Sequence, residues 1–155
     1  MKIRLLPLLL ALCCVQSFSQ TRTVRTYDAA LAKKLGADPY GMKQYVMAFL
    51  KPGPTKIKDS LARISLQRAH LKNILRLAQE GKLIVAGPFL DEGKYAGIFI
   101  FNVKTVEEAR ALTETDPAIR AGTLEMELHP WYGSAALIAT SDLHKKLEQK
   151  SVADL

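Results

Sequence analysis

Thiols are nearly absent from this 155-residue chain: its two cysteines are neighbours, Cys13 and Cys14. Both lie in a segment expected to be removed, and the remaining chain then has no disulfide, no thiolate metal site and no Cys nucleophile. A glycine-rich phosphate loop, a Ser nucleophile elbow and an HExxH metal motif are also missing. No low-complexity tract or repeat with a solenoid period is present. The 22 basic residues exceed the 15 acidic ones but do not cluster. Lys33, Lys56, Arg63, Arg68, Lys72, Arg76 and Lys145 sit on what read as solvated helix faces without interleaved aromatics. Nucleic acid is therefore not an expected partner.

What is present fits one folded domain with short tails. The chain is 48% apolar and 24% charged, ordinary for a globular core. Residues 1–19 differ from the rest. Lys2 and Arg4 precede an apolar run over residues 5–15, and Ser17 and Ser19 supply small side chains at the positions a signal peptidase reads. The run falls short of the ~20 residues that span a bilayer. Residues 1–19 are thus expected to be a cleaved secretory signal. The mature protein would then be exported, periplasmic or secreted, with no stable membrane insertion. Loss of Lys2 and Arg4 leaves twenty basic and fifteen acidic residues, a net charge of +5.

Residues 20–41 read as a lead-in, with a short helix Ala29–Leu35 capped by Asp28 and ended by Gly36. Residues 45–50 form a strand stopped by Pro52-Gly53-Pro54. The spacing of Leu61, Ile64, Leu71, Ile74, Leu75 and Ala78 predicts a long helix over 59–80, with Gly81 as its stop. Strands follow over 82–89 and 95–103, joined by the turn Asp91-Glu92-Gly93-Lys94. Thr105 and Glu108 make a capping box for a second helix over 106–115, interrupted at Asp116-Pro117. A last strand over 123–131 alternates Leu124, Met126 and Leu128 with Glu125, Glu127 and His129. Ala135 to Ala139 reads as an extra strand or arm, and residues 143–150 as a terminal helix capped at Ser141-Asp142.

The order β-α-β-β-α-β is the split βαβ pattern of a ferredoxin-like α+β sandwich. Two helices cover one face of four strands, yet the second and third strands are apolar on both faces. With no third layer visible in the sequence, the expected cover is the sheet of a second copy, which makes a homodimer.

Tyr45-Val46, His70-Leu71, Gly81-Lys82-Leu83, Ala86-Gly87-Pro88-Phe89 with Asp91, Glu108-Ala109-Arg110, Asp116-Pro117, Ala121-Gly122 and Pro130-Trp131 together resemble the YCII-related domain family. The likeness covers residues 42–132, leaving 133–155 as a C-terminal extension. It implies a ferredoxin-like unit that dimerises into an α+β barrel, similar to muconolactone isomerase. It also implies an active-site His on the first helix and an Asp after the Gly-Pro-Phe strand, at His70 and Asp91 here. One relative acts on a chlorinated hydroxyquinol in aromatic breakdown, and most members have no assigned reaction. The leader sets this chain apart from the family's usual cytoplasmic setting.

His70 falls beside the apolar stripe of its helix, near Leu66 and Leu77, where an imidazole can serve a pocket as a general base. Asp91 is the expected orienting carboxylate; the plainer reading makes His70 a half-buried helix residue and Asp91 a turn former. Asp116 is either a helix terminator ahead of Pro117 or a contributor to the same pocket. With Phe89 and Trp131 it completes the expected ligand contacts, although packing is the preferred role of Trp131. Glu125, Glu127 and His129 share a strand face, but two carboxylates and one imidazole are a weak metal set. No metal and no cofactor are expected. Three functions remain: a small cofactor-free acid–base enzyme acting on an aromatic or enol-like molecule, a non-catalytic small-ligand-binding envelope protein, or a structural dimer with a vestigial pocket.

Overall fold

Side chains of the first strand alternate between two greasy sets, and those sets define the two faces of the sheet. In the computed structural model, which describes residues 26–152, β1 (Met42–Pro52) turns Val46, Ala48 and Leu50 to one face. Tyr45 and Met47 turn to the other. The leader expected at 1–19 lies outside the described residues.

The short lead-in helix is α1 (Ala29–Leu35), capped by Asp28 and closed by Gly36 in the left-handed region. After β1 comes α2 (Ser60–Gln79), whose N-cap Asp59 accepts from Leu61 N at 2.9 Å. The hairpin β2 (Leu83–Pro88) and β3 (Gly97–Phe101) follows. Then come α3 (Val106–Thr113), with both halves of the Thr105–Glu108 capping box formed, and the one-turn α4 (Pro117–Arg120). Pro117 at the first helical position of α4 gives up an N–H that would have no partner there. The last strand, β4 (Leu124–Ser134), runs three residues past the expected end at Trp131. It pairs only with β1, and an edge strand tolerates Pro130 because one side of it carries no ladder.

Strand order is β2-β3-β1-β4, antiparallel throughout. This is the ferredoxin-like α+β arrangement expected from the sequence. Leu77 of α2 and Ala109 of α3 close the main core over Val46, Leu50, Phe99 and Phe101. Each large side chain so buried contributes about 1.5–3 kcal/mol.

The opposite face corrects one expectation. Residues 135–139 form no strand; Ser134 caps a 3₁₀ turn, Ala135–Ala139, that runs directly into α5 (Thr140–Leu147). The terminal helix therefore starts and ends three residues earlier than expected. Leu137 and Ile138 pack on Tyr45, Ile84 and Ile100, and α5 rests on β2. Hydrogen bonds from Tyr45 Oη to Ser134 O and from Ala135 N to Gly41 O, both 3.0 Å, pin the segment in place. The chain thus supplies part of the third layer that the sequence reading lacked. The other half of that face, around Phe49, Tyr95 and His129, carries no such cover among the described residues. Among the described residues no helix is long and apolar enough to cross a membrane.

Candidate active site

α2 sets His70 one turn ahead of Ile74 and two ahead of Leu77, so its ring is carried down onto the sheet rather than into water. There it stacks on Phe99 of β3, with centroids 6.2 Å apart and planes 15° from parallel. His70 is only 6% exposed. Its Nδ1 lies 2.7 Å from Oδ2 of Asp116, which is 1% exposed. The other carboxylate oxygen of Asp116 accepts from Ala118 N at 2.9 Å and so caps α4. One buried carboxylate therefore opens a helix and fixes an imidazole. The pairing also sets the ring's orientation: with Nδ1 held by Asp116, Nε2 is the nitrogen left for other work.

His70 lines a cleft of about 850 Å³ between α2 and the sheet. Leu50, Leu71, Ile74, Phe99 and Leu124 make its walls apolar, and Pro88 and Gly87 of β2 form one rim. Val152, beyond α5, comes back to the same cleft. Arg68 is the one Lys, Arg, Asp or Glu in the lining among the described residues. A mostly dry wall with one fixed imidazole is the usual composition of a small-molecule site.

Of the five residues expected at the site, two meet. Asp116 is the carboxylate that His70 contacts, and Asp91 is not. Asp91 is exposed in the β2–β3 loop, and its carboxylate folds back over Gly93. It makes no hydrogen bond or ion pair among the described residues, as suits a four-residue polar turn. Phe89, one position past the lining Pro88, is 43% exposed and outside the cleft wall. Trp131 lies on the opposite face of the sheet, its ring centroid 5.8 Å from that of Tyr45. A Cβ at Gly133 would fall 2.3 Å from the Trp131 ring, so the indole lies flat across a backbone that only glycine leaves free. The face of a residue on β4 follows from the period of two, and 131 shares its parity with 127 and 129 rather than with Leu128.

Arg68, Gln67 and Phe99 were not among the expected site residues. A signal for Gln67 was available, because positions 63, 67, 70 and 74 fall on one side of a helix. Phe99 had none, since its meeting with His70 depends on how helix and sheet pack.

The strand stripe Glu127–His129 is occupied by its own neighbours. His129 Nε2 is 3.1 Å from Glu127 Oε1, and Lys51 Nζ is 3.2 Å from Glu127 Oε2. Those contacts, Lys51 first, hold the Glu127 carboxyl below its usual range. Among the described residues no group of three or more His, Cys, Asp or Glu is placed to hold a metal ion.

Comparison with known proteins agrees with this architecture. The family model of the YCII-related domain matches residues 45–132, more than half of the chain. No curated protein matches. Among solved structures, the chain is similar to a 5-chloro-2-hydroxyhydroquinone dehydrochlorinase from Burkholderia phenoliruptrix AC1100, in complex with 2,5-dihydroxybenzoquinone. That likeness has 24% identity, covers 57% of this chain and 93% of the other, and has a TM-score of 0.42. The superposition is too loose to bear on the site. The match over β1 through β4 makes the chain a member of the YCII-related domain family.

Proposed function

We propose that this YCII-related protein is an exported, cofactor-free acid–base enzyme that takes a small aromatic or enol-like molecule into the cleft beneath α2. The observation that carries the reading is the buried contact between His70 and Asp116, 2.7 Å long, at the wall of that cleft. Asp116 holds Nδ1, which leaves Nε2 to take a proton from the ligand and return it at a neighbouring atom. Positioning replaces the mobility of a solvated imidazole, and the apolar walls keep competing water away. Asp116 is a positioning residue in this scheme, in the role that the family resemblance implied for Asp91. Export is supported by the basic start and apolar run of residues 1–19. A homodimer, joined through the uncovered half of the second face around Phe49 and Tyr95, completes the proposal.

The alternative is a binder without chemistry, favoured by the apolar character of the cleft. Proton exchange separates the two. A panel of enolisable and phenolic compounds in D₂O, followed by NMR, should contain members whose exchange the protein accelerates. His70→Gln, which keeps shape and hydrogen bonding, should reduce that acceleration by about 10²–10⁴-fold while binding persists. Binding without accelerated exchange in the unaltered protein would leave only the non-catalytic reading.

A further inference from the structure

The large cleft has a neighbour. A second hollow of about 390 Å³ is lined by Lys56, Arg63, Thr55 and Thr123. Gln67 and Leu124 belong to both linings, so the two spaces meet along one turn of α2. Charge is distributed unevenly across the pair. The large cleft contributes Arg68 and the small one Lys56 and Arg63, and among the described residues neither lining contains a carboxylate.

Those cations are uncommitted. Arg63 and Arg68 make no side-chain hydrogen bond or ion pair among the described residues, whereas Arg76 on the same helix is held by Glu80, Asn73 and Thr115. Lys56 meets only a neutral carbonyl, Gly53 O, at 3.3 Å. The nearby acids are engaged elsewhere. Asp59 caps Leu61 N, and Asp116 is divided between His70 and Ala118 N. Helix spacing places Arg63 with Gln67, His70 and Ile74 on one side of α2, while Arg68 lies about 140° round the helix and reaches the large cleft from its other edge. One helix face thus presents a cation, an amide, an imidazole and an apolar side chain in succession.

We infer that the ligand is an apolar acid whose hydrocarbon part fills the large cleft while its carboxylate lies at the junction, against Arg63, Arg68 and Lys56. This inference deepens the proposed function and rests on the cleft being a ligand site. It narrows the substrate class to anions, because three cations flank the junction and the described residues there offer no carboxylate to compete for them. A guanidinium facing a carboxylate gives a short charge-assisted hydrogen bond, and a partly apolar setting strengthens it.

The test uses matched probes, 2-naphthoate and the neutral 2-naphthamide, titrated calorimetrically into residues 20–155 at low salt and at high salt. The acid should bind about tenfold tighter at low salt, and the preference should shrink as salt rises. Arg63→Gln with Arg68→Gln should abolish the preference while leaving the melting temperature unchanged, since both side chains are exposed. His70→Gln should retain the preference while losing proton exchange, which separates failure of this inference from failure of the catalytic one. Equal affinity for both probes overturns the inference, as does failure of the acid to bind at millimolar concentration. A preference that survives the double substitution, or that vanishes in His70→Gln, overturns it as well.

Discussion

The two faces of the sheet are buried by different means, and the difference is what gives the proposed function its place. On the helix face, α2 stands off the sheet far enough to leave a cleft, and a polar pair is sunk into its wall. On the opposite face, the chain's own end lies directly on Tyr45, Ile84 and Ile100, and the buried groups there are apolar apart from the tyrosine hydroxyl, which is satisfied by Ser134 O. Burying a carboxylate and an imidazole costs free energy that a hydrophobic pair would not. Buried ionisable pairs cluster at functional sites, and the proposed function gives this pair that role.

The comparison breaks most severely at Asp116. Asp116→Ala removes the partner of a buried imidazole and the cap of α4 together. Loss of one member of a buried pair costs about 3–5 kcal/mol, and an N-cap about 0.5–2. Because the two losses share one residue they do not simply add, and the expected total in urea unfolding is about 4 kcal/mol. Asp116→Asn keeps the cap oxygen and should recover part of that stability without recovering proton exchange. A cost below about 1 kcal/mol for Asp116→Ala would mean that the pair behaves as a solvated one.

On the other face, ending the chain at Ser134 should have the next largest effect. It uncovers Tyr45, Ile84 and Ile100 and removes the half-buried Leu137 and Ile138. The expected cost is about 2–4 kcal/mol. Sedimentation of the shortened protein sharpens the proposal of a second copy. If a partner sheet sits only on the open half, Phe49→Glu weakens the dimer of the full protein, while truncation leaves that half able to pair. If truncation instead raises association at every concentration, the C-terminal segment is what keeps sheets apart.

The lesson of the two faces extends to what the sequence could tell. Local signals were legible: Asp28 capping α1, the Thr105–Glu108 box and the left-handed glycines at 36 and 81 each act within four residues of themselves. The ferredoxin-like strand order followed from element order. The His70–Asp116 contact bridges 46 positions, and no periodicity relates a helix residue to a distant cap. Asp91 was expected from the family resemblance, as the Asp after the Gly-Pro-Phe strand, but proximity in sequence to a strand end is not proximity to a helix packed across the sheet. The C-terminal cover was hidden for a similar reason. Ala135 to Ala139 is short and apolar, a composition that fits strand, turn and buried helix alike.

The smallest expected effect lies where the lead-in joins the sheet. Tyr132 Oη donates to Asp38 Oδ2, while Asp38 Oδ1 accepts from Tyr40 N and Met42 N, each at 2.9 Å. The hydrogen bond to Asp38 pushes the Tyr132 hydroxyl up to about 12, and the same bond, ahead of the Met42 amide, holds Asp38 below the ordinary carboxylate range. The signs give a plateau with two edges. Tyr132 titrates higher in the folded chain than its ordinary value of 10.0, so its contribution is complete below that value and is lost as pH rises toward about 12. Asp38 titrates lower than its ordinary 3.8, so its contribution is complete above that value and disappears as pH falls below it. Both groups are solvent-facing, which keeps the effect small. Tyr132→Phe should therefore lower the melting temperature at neutral pH by less than either change above. The difference between variant and parent should narrow at both extremes of pH, and a difference that stays constant from acid to alkali would mean that the ring's packing, not its hydroxyl, joins β4 to the lead-in.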